Sequence, residues 1–167
     1  VLAESMLMRL AEMQSATAEH PSAYKSYRDF IGRFPESKWR RNAQFGLAWS
    51  LENSDKPGEA IRQYAPLLEA DKSVDLWTVR ARFQTGECYF NMQKYEEAVK
   101  EFLNVEIHYK KYPAWQAKGI LEIGRVLLAQ DKRGEAKERF KDVITRYPNE
   151  KAAIVARQYL DQLRSSG

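Results

Sequence analysis

Residues 86–102, with the sequence GECYFNMQKYEEAVKEF, decide the fold of this chain. Near their end stands Glu97-Ala98, and Phe102 follows four residues after the alanine. The same phrase recurs at equal spacing on either side, as Glu59-Ala60 with Tyr64 and Glu135-Ala136 with Phe140, and a fainter copy is Ala23 with Tyr27. A fixed period in the range of about 20 to 50 residues predicts stacked structural repeats, which work as a surface rather than as a reaction pocket.

Small residues and prolines mark the same repeat. Gly86 and Gly124 precede their repeated alanines by the same interval, and Gly46 precedes its alanine by two residues more because the turn at 53–58 is longer. Prolines that suit the first turn of a following helix stand at Pro35, Pro113 and Pro148. Each repeat is therefore predicted to be a helix, a short turn and a second helix. The small residues should lie where the two helices cross closely, and the aromatic residues should fill the space between hairpins.

The pattern predicts helices at about 2–18, 22–33, 37–52, 58–70, 75–91, 95–109, 114–130, 133–146 and 150–164. These helices make one all-α domain over residues 1–167, with hairpins at about 2–35, 36–72, 73–111 and 112–148 and a capping helix at 150–164. Pro66 is expected to kink its helix or to end it early. The link at 71–73 lacks a proline, and Ser73 or Asp75 is available there as an N-cap.

The order small residue, Tyr, Ala, aromatic, Pro resembles the tetratricopeptide repeat signature. The copies are Gly86, Tyr89, Ala98 and Phe102; Gly124, Leu127, Ala136, Phe140 and Pro148; Gly46, Trp49, Ala60 and Tyr64; and the degenerate Ala11, Gln14, Ala23, Tyr27 and Pro35. The resemblance implies a right-handed superhelical solenoid of about four hairpins plus a C-terminal helix. It also implies a non-catalytic scaffold that binds a peptide or protein segment on its concave face.

The repeat, at roughly 38 residues, is longer than the family's usual period of about 34 residues. Its junctions, such as Phe34-Pro35-Glu36-Ser37 and Tyr147-Pro148-Asn149-Glu150, resemble those of bacterial cell-envelope proteins. Examples are the periplasmic coordinator attached to the Tol–Pal system and the helical lipoprotein of the outer-membrane barrel-assembly machine. This resemblance favours the periplasm or cell envelope over the cytoplasm. Because the sequence begins at Val1 without a basic and apolar leader, we expect a processed chain or a part of a longer one.

In the tetratricopeptide family the first helix of each hairpin lines the concave face. The groove positions that the resemblance implies are Arg40, Gln44, Leu47, Arg80, Phe83, Gln84, Glu87, Phe90, Lys118, Leu121, Glu122 and Arg125. Helical periodicity independently places four of them, Arg80, Phe83, Glu87 and Phe90, on one stripe. Mixed cations and apolar residues suit a segment with acidic residues and apolar anchors. The alternative is that the phenylalanines pack between hairpins and the arginines form a solvated face.

A specialised version of this groove binds the C-terminal tails of chaperones and needs Asn at the positions of Leu47, Glu87 and Arg125, so no such tail is expected to bind. Trp39, Trp77 and Trp115 recur with the period of the repeat, and we interpret them as packing between hairpins. Trp115 is the best candidate of the three for an exposed anchor, because it follows a loop.

Composition and motifs argue against other classes of function. The net charge of +4 is mild for a nucleic-acid-binding protein. No apolar run approaches the ~20 residues that span a membrane. Neither His20 nor His108 has a helical-spacing partner for a metal, and no phosphate-binding loop is present, so we expect no cofactor and no catalysis. The basic cluster of Arg33, Lys38, Arg40 and Arg41 is interpreted as a solvated helix start, with a phosphate patch as the alternative.

The competing hypothesis is structural. The chain would then be one stretch of a longer tetratricopeptide solenoid, or a subunit that self-associates through its terminal helices. Solenoid ends expose apolar faces unless they are capped. The first helix presents Met6, Leu7, Leu10 and Met13, whereas Tyr159, Leu160 and Leu163 in the last helix look like a partial cap.

Overall fold

The computed structural model describes residues 3–69 and 75–165, and every regular element in these two stretches is an α-helix. The helices are α1 (Glu4–Ala16), α2 (His20–Arg33), α3 (Arg40–Glu52), α4 (Pro57–Glu69), α5 (Leu76–Asn91), α6 (Tyr95–His108), α7 (Pro113–Ala129), α8 (Arg133–Arg146) and α9 (Lys151–Ser165). The predicted all-α fold of helical hairpins is confirmed. The predicted Ser73 cap and the link at 71–73 lie outside the described residues.

The chain forms two compact units, Val1–Ala81 and Arg82–Gly167. In the first unit α2 packs on α1 and on α3, and α3 packs on α4 and on α1. In the second unit α7 packs on α6 and on α8, and α9 packs on α8 and on α7. Each unit therefore consists of antiparallel hairpins whose first helices are neighbours. The expectation of one domain over residues 1–167 stays a prediction.

The repeated glycines provide room for aromatic rings. A Cβ atom added at Gly86 would lie 2.6 Å from the ring of Phe102, and one added at Gly124 would collide with Phe140. Both rings come from the second helix of the same hairpin and are fully buried. The predicted close crossing of the two helices is thus present at these two sites, because each glycine makes room for an aromatic ring.

Gly46 meets a different partner. Its missing side chain leaves room for the ring of Tyr27 on α2, which belongs to the preceding hairpin. Phe140 likewise reaches the next element, since its ring stacks on Tyr159 of α9 with 4.9 Å between the ring centres. The aromatic residues therefore fill the space within hairpins and also the space between them. Only the packing between hairpins was predicted from the sequence.

Four turns share one backbone conformation without a glycine. The residues with left-handed φ values of 58–61° are Ala18, Asp55, Gln93 and Asp131. In every turn the next residue donates its N–H to a carbonyl five residues back, for example Lys94 to Tyr89 at 2.9 Å and Lys132 to Leu127 at 2.8 Å. These bonds satisfy helix-end carbonyls, as in the Schellman motif. They offset the cost of the left-handed conformation, about 1 kcal/mol per residue.

Pro66 does not end its helix, contrary to the expectation that the helix could stop short there. α4 continues past the proline to Glu69, the last residue described in this stretch. Because proline lacks an N–H, one backbone hydrogen bond of the helix is lost. Burial of Tyr64 and Leu67 holds this part of the helix against the unit.

Gly124→Ala tests this packing. The added methyl group must displace Phe140, which is fixed by the stack on Tyr159, so we expect the free energy of unfolding to fall by about 1–3 kcal/mol. Gly134→Ala is the matched control, since nothing lies within 4 Å of its added Cβ, and it should be neutral or stabilising. Urea unfolding measures both. Equal stability of the two variants would show that the glycine is not required for packing.

Candidate functional site

The repeated phrase lies on the second helices, where its alanines and aromatic residues pack in the core. Its alanines and aromatic residues, which are Ala60, Tyr64, Ala98, Phe102, Ala136 and Phe140, are fully buried. They have no surface to offer to a ligand. The glutamates of the phrase, Glu59, Glu97 and Glu135, are exposed, but the candidates that the resemblance implies are the groove positions on the first helices.

On α3 the three groove positions have different surroundings. Arg40 is exposed and donates to the carbonyl of Pro35 at 3.1 Å. Gln44 is half-buried, and its Nε2 donates to the carbonyl of Gln63 on α4 at 2.7 Å. Leu47 is only 4% exposed and belongs to the hydrophobic core of the first unit. Arg40 is thus the accessible member, while Leu47 supports the fold.

Arg80 on α5 rests on two aromatic rings. Its guanidinium carbon lies 4.3 Å from the ring centre of Phe45 and 4.8 Å from that of Trp77. Burial lowers the pKa of Arg80 below its usual value. A small pocket of about 150 Å³ lies beside it, lined by Ser15, Tyr27, Asn42, Phe45, Gly46, Trp49, Trp77 and Arg80.

Arg41 has a structural role at the start of α5 that could not be predicted from the sequence. It donates to the carboxylate of Asp75 at 2.8 and 3.1 Å and to the hydroxyl of Thr78 at 2.8 Å. Asp75 also accepts the N–H of Thr78 at 2.8 Å, so the predicted N-cap at Asp75 is confirmed. Burial alone would raise the pKa of Asp75, but the hydrogen bonds from Arg41 and Thr78 outweigh it and lower that pKa. Arg41 therefore anchors the start of α5 and is not part of a free basic patch.

In the second unit, Phe83 and Leu121 pack inside the structure. The ring of Phe83 is 8% exposed and lies 5.4 Å from the ring centre of Phe102 and 5.2 Å from that of Trp115. Leu121 is also buried. Gln84, another predicted groove position on α5, is half-buried. Phe83 therefore packs inside the second unit, which is the role that the sequence analysis gave as the alternative to binding a partner.

Lys118 and Phe90 remain accessible. Lys118 is exposed, and its Nζ lies 4.4 Å from the ring centre of Trp115, which is half-buried. Phe90 is half-buried, with the guanidinium of Arg125 5.6 Å from its ring centre. Each of these two pairs places a cation on an aromatic face at the surface of a first helix.

Glu87, Glu122 and Arg125 form a buried cluster between α5 and α7. Arg125 donates to Glu122 at 2.5 Å, and the carboxyl groups of Glu87 and Glu122 are hydrogen-bonded to each other. Two ionised carboxylates side by side repel each other, which favours a proton on one of the pair.

The pKa values of this pair follow from burial. Burial and then the charge of Glu87 raise the pKa of Glu122, Arg125 opposes them, and the resulting pKa is about 8. Burial likewise raises the pKa of Glu87 above its usual value. Sequence reasoning placed all three residues in the groove, but it could not show that they bind one another, because they lie on two different helices. The side chains of Glu87 and Arg125 are partly exposed to solvent, whereas that of Glu122 is buried.

The two hairpins that contain this cluster match a known family. A tetratricopeptide repeat family model matches residues 80–109 and 119–150. These two segments are tetratricopeptide repeats. A comparison with curated proteins finds no match.

Solved structures extend the likeness in fold over most of this chain. A tetratricopeptide repeat protein from Parabacteroides merdae is 13% identical, with a TM-score of 0.73 over 98% of this chain and 60% of its own. The apo form of RapI is 17% identical, with a TM-score of 0.73 over 85% of this chain and 54% of its own. The pilF protein of Pseudomonas aeruginosa is 22% identical, with a TM-score of 0.70 over 98% and 76%. At these identities the likeness shows the fold, and the chain spans little more than half the length of the first two.

Membrane spans and metal clusters are both absent from residues 3–69 and 75–165. No helix in these stretches is both long enough and apolar enough to cross a bilayer. No group of three or more His, Cys, Asp or Glu side chains in the same stretches could hold a metal ion.

The shared proton predicts a pH dependence of stability. Because the pKa of Glu122 is higher in the folded than in the unfolded chain, its contribution is complete below about pH 4.5 and is lost as the pH rises toward 8. A pKa difference of one between the two states corresponds to about 1.4 kcal/mol. We therefore expect the thermal midpoint to fall by at least about 2–4 °C between pH 5 and 8.5.

Glu122→Gln should flatten this profile, since the amide can donate to Glu87 without a titrating proton. Glu138→Gln is the control, because Glu138 is exposed and pairs only with Lys141 at 2.7 Å among the described residues. Thermal unfolding across the pH range measures all three proteins. A flat wild-type profile, or the same slope in Glu122→Gln, would contradict the assigned proton.

Proposed function

We propose that this chain is a non-catalytic scaffold that binds a segment of another protein along the first helices of its hairpins. Tetratricopeptide repeats generally mediate interactions between proteins and are generally not catalytic. Each unit offers its own part of the surface, from α3 and the start of α5 in the first unit and from α5 and α7 in the second. The exposed and half-buried groove positions are the proposed contacts.

The observation that carries this proposal is a set of cations held on aromatic rings. Arg80 lies on Trp77, Lys118 on Trp115 and Arg125 on Phe90, all on first helices. A ring beneath a cation fixes its position, so less side-chain entropy is lost when a carboxylate binds. The same rings provide apolar area next to the charge, and buried aromatic and arginine residues dominate binding energy at protein interfaces.

This chemistry favours an acidic segment with apolar anchors. Arg40 and Lys118 are exposed cations, and Arg80 and Arg125 are half-buried ones. Leu47, Phe83, Leu121 and Glu122 support the surface from below rather than contact the partner. The long repeats and their Phe-Pro and Tyr-Pro junctions, which resemble those of bacterial envelope proteins, favour a partner in the periplasm.

Peptide display tests the proposal. Selection from a library of short random peptides should enrich sequences with Asp or Glu next to aromatic or aliphatic residues, because those groups match the cations and rings. Lys118→Glu should weaken the selected peptides roughly fivefold to tenfold, or about 1–1.4 kcal/mol, by turning an attraction into a repulsion. Fluorescence anisotropy of the labelled peptides measures this change.

Lys100→Glu is the matched control, since Lys100 is an exposed lysine on the second helix α6. It makes the same change in net charge on the other face of the hairpin and should leave affinity within about twofold. Arg125→Glu is unsuitable, because it would place a third carboxylate beside Glu87 and Glu122. Enrichment of basic peptides, or equal weakening by both lysine variants, would refute the proposed surface.

A second candidate function, self-association or stacking on further repeats, is favoured by exposed apolar residues on both terminal helices. On α1 the side chains of Met6 and Met13 are 55% and 57% exposed, and on α9 Ile154 is 57% exposed. Met6 and Met13 are seven residues apart, so they share one helix face. Such a face is what the end of a repeat stack offers to another copy.

Light scattering over a range of concentrations tests self-association. If the terminal faces meet, the mass should rise above 19.4 kDa with concentration, and Met6→Lys with Met13→Lys should return it to that value. Ile107→Lys is the control, because Ile107 is equally exposed but lies on α6. A mass that stays at the monomer value up to hundreds of micromolar would exclude this candidate.

A further inference from the structure

Half-buried arginines on the first helices differ in whether their charge is balanced. Arg41 pairs with Asp75 at 2.8 Å and Arg82 pairs with Glu101 at 2.7 Å, while Arg125 lies 2.5 Å from Glu122 and also feels the charge of Glu87. Arg80 is buried to a similar degree, yet no ion pair or hydrogen bond joins it to any other residue in the described stretches. Buried charges in proteins are normally paired, so an unpaired guanidinium is an incomplete site.

The two rings explain how Arg80 is held without a carboxylate. Phe45 and Trp77 lie 5.6 Å apart between ring centres, with 44° between their planes, and the guanidinium lies over both. Attraction to ring faces compensates part of the cost of burial. It leaves the N–H groups at the edge of the guanidinium free, and these are arranged to bind both oxygens of one carboxylate.

The pocket beside Arg80 limits what can bind. Its volume of about 150 Å³ is well below the ~300–1,000 Å³ of typical small-molecule sites, so it suits a single carboxylate on a short stem. Ser15 and Asn42 add polar groups to the wall. Asn42 donates a hydrogen bond to the carboxylate of Glu12 at 3.0 Å, and no ion pair joins Glu12 to Arg80.

Tyr27 at the base of the pocket is a donor and not an anion. Burial and the charge of Glu12 together raise its pKa to about 12, against a hydrogen bond that it shares with Ser15. The wall therefore consists of neutral polar groups, with the phenol and the hydroxyl hydrogen-bonded to each other and the amide hydrogen-bonded to Glu12, around one cation that has no carboxylate partner among the described residues. That arrangement is complementary to an anion with two acceptor oxygens.

We propose that Arg80, stacked on Phe45 and Trp77, binds one carboxylate of the partner protein, with the stem of that residue lying against the Trp77 ring. This rests on the proposed function and narrows it: the partner carries an acidic group that inserts here as an anchor. The carboxylate is either the side chain of Asp or Glu or the C-terminus of the partner chain. Both sources present the same two oxygens.

Titration with small carboxylates, followed by NMR of the arginine Nε–H and Trp77 indole N–H signals, tests the site directly. N-acetylglutamate α-amide provides a side-chain carboxylate and N-acetylleucine a terminal one, while N-acetylglutamine amide is the neutral control. We expect a saturable shift of the Arg80 and Trp77 signals with a Kd in the millimolar range for at least one carboxylate, as is usual for a single small anion. The exposed Arg40 should show no saturation in the same spectra.

Arg80→Lys keeps the charge and removes the planar guanidinium. It should weaken carboxylate binding at least fivefold, and an unchanged thermal midpoint would show that the fold is intact. Arg80→Gln, which also lacks the charge, should abolish binding. If Arg80→Lys binds as well as the wild type, if Arg40 and Arg80 respond alike, or if the neutral amide binds equally, the carboxylate site is refuted.

The experiments distinguish failure of the proposed scaffold function from failure of the proposed carboxylate site at Arg80. Display-selected acidic peptides that bind equally well to the wild type and to Arg80→Lys would leave the scaffold function standing and remove Arg80 as an anchor. Saturable carboxylate binding at Arg80 without any selected peptide would keep the site and remove the proposed peptide surface.

Discussion

The fit of an aromatic ring into the space that a glycine leaves on the facing helix is the constraint on which this structure depends. Phe102 against Gly86 and Phe140 against Gly124 bring the two helices of a hairpin close together, and Tyr27 against Gly46 joins one hairpin to the next. Buried aromatic side chains contribute several kilocalories per mole to a core. The second helices provide these rings, while first helices such as α3 and α7 bury more residues than the second helices do and offer only their remaining faces to a partner.

The charged side chains of the first helices have different kinds of neighbours. Arg41 is paired with the carboxylate of Asp75, and Arg125 lies against the pair of Glu87 and Glu122, in which burial favours a proton on Glu122. Lys118 lies exposed on a tryptophan ring. Arg80 has rings but no carboxylate among the described residues, so its burial is the least compensated. A protein that binds others through such residues gives up some stability in the free state for complementarity in the complex.

The sequence predicted the helices and their register because both follow from local periodicity. Gly86, Ala98 and Phe102 lie where the repeat pattern places them, and Asp75 caps α5 as expected. The burial of Leu47 and Glu122 could not be predicted, since it depends on which neighbouring helix covers each face. The left-handed turns were also missed, because they contain Asp, Gln or Ala where a glycine would have been the usual signal.

The central claim is that the aromatic rings of the second helices set the packing of the hairpins and that the exposed side chains of the first helices meet the partner. The most direct measurement is the mapping of backbone amide chemical shifts when a selected acidic peptide is added to the labelled protein. The account predicts that the largest changes fall on α3, α5 and α7, near Arg40, Arg80 and Lys118. Changes concentrated on α4, α6 and α8, with the first helices unaffected, would contradict it.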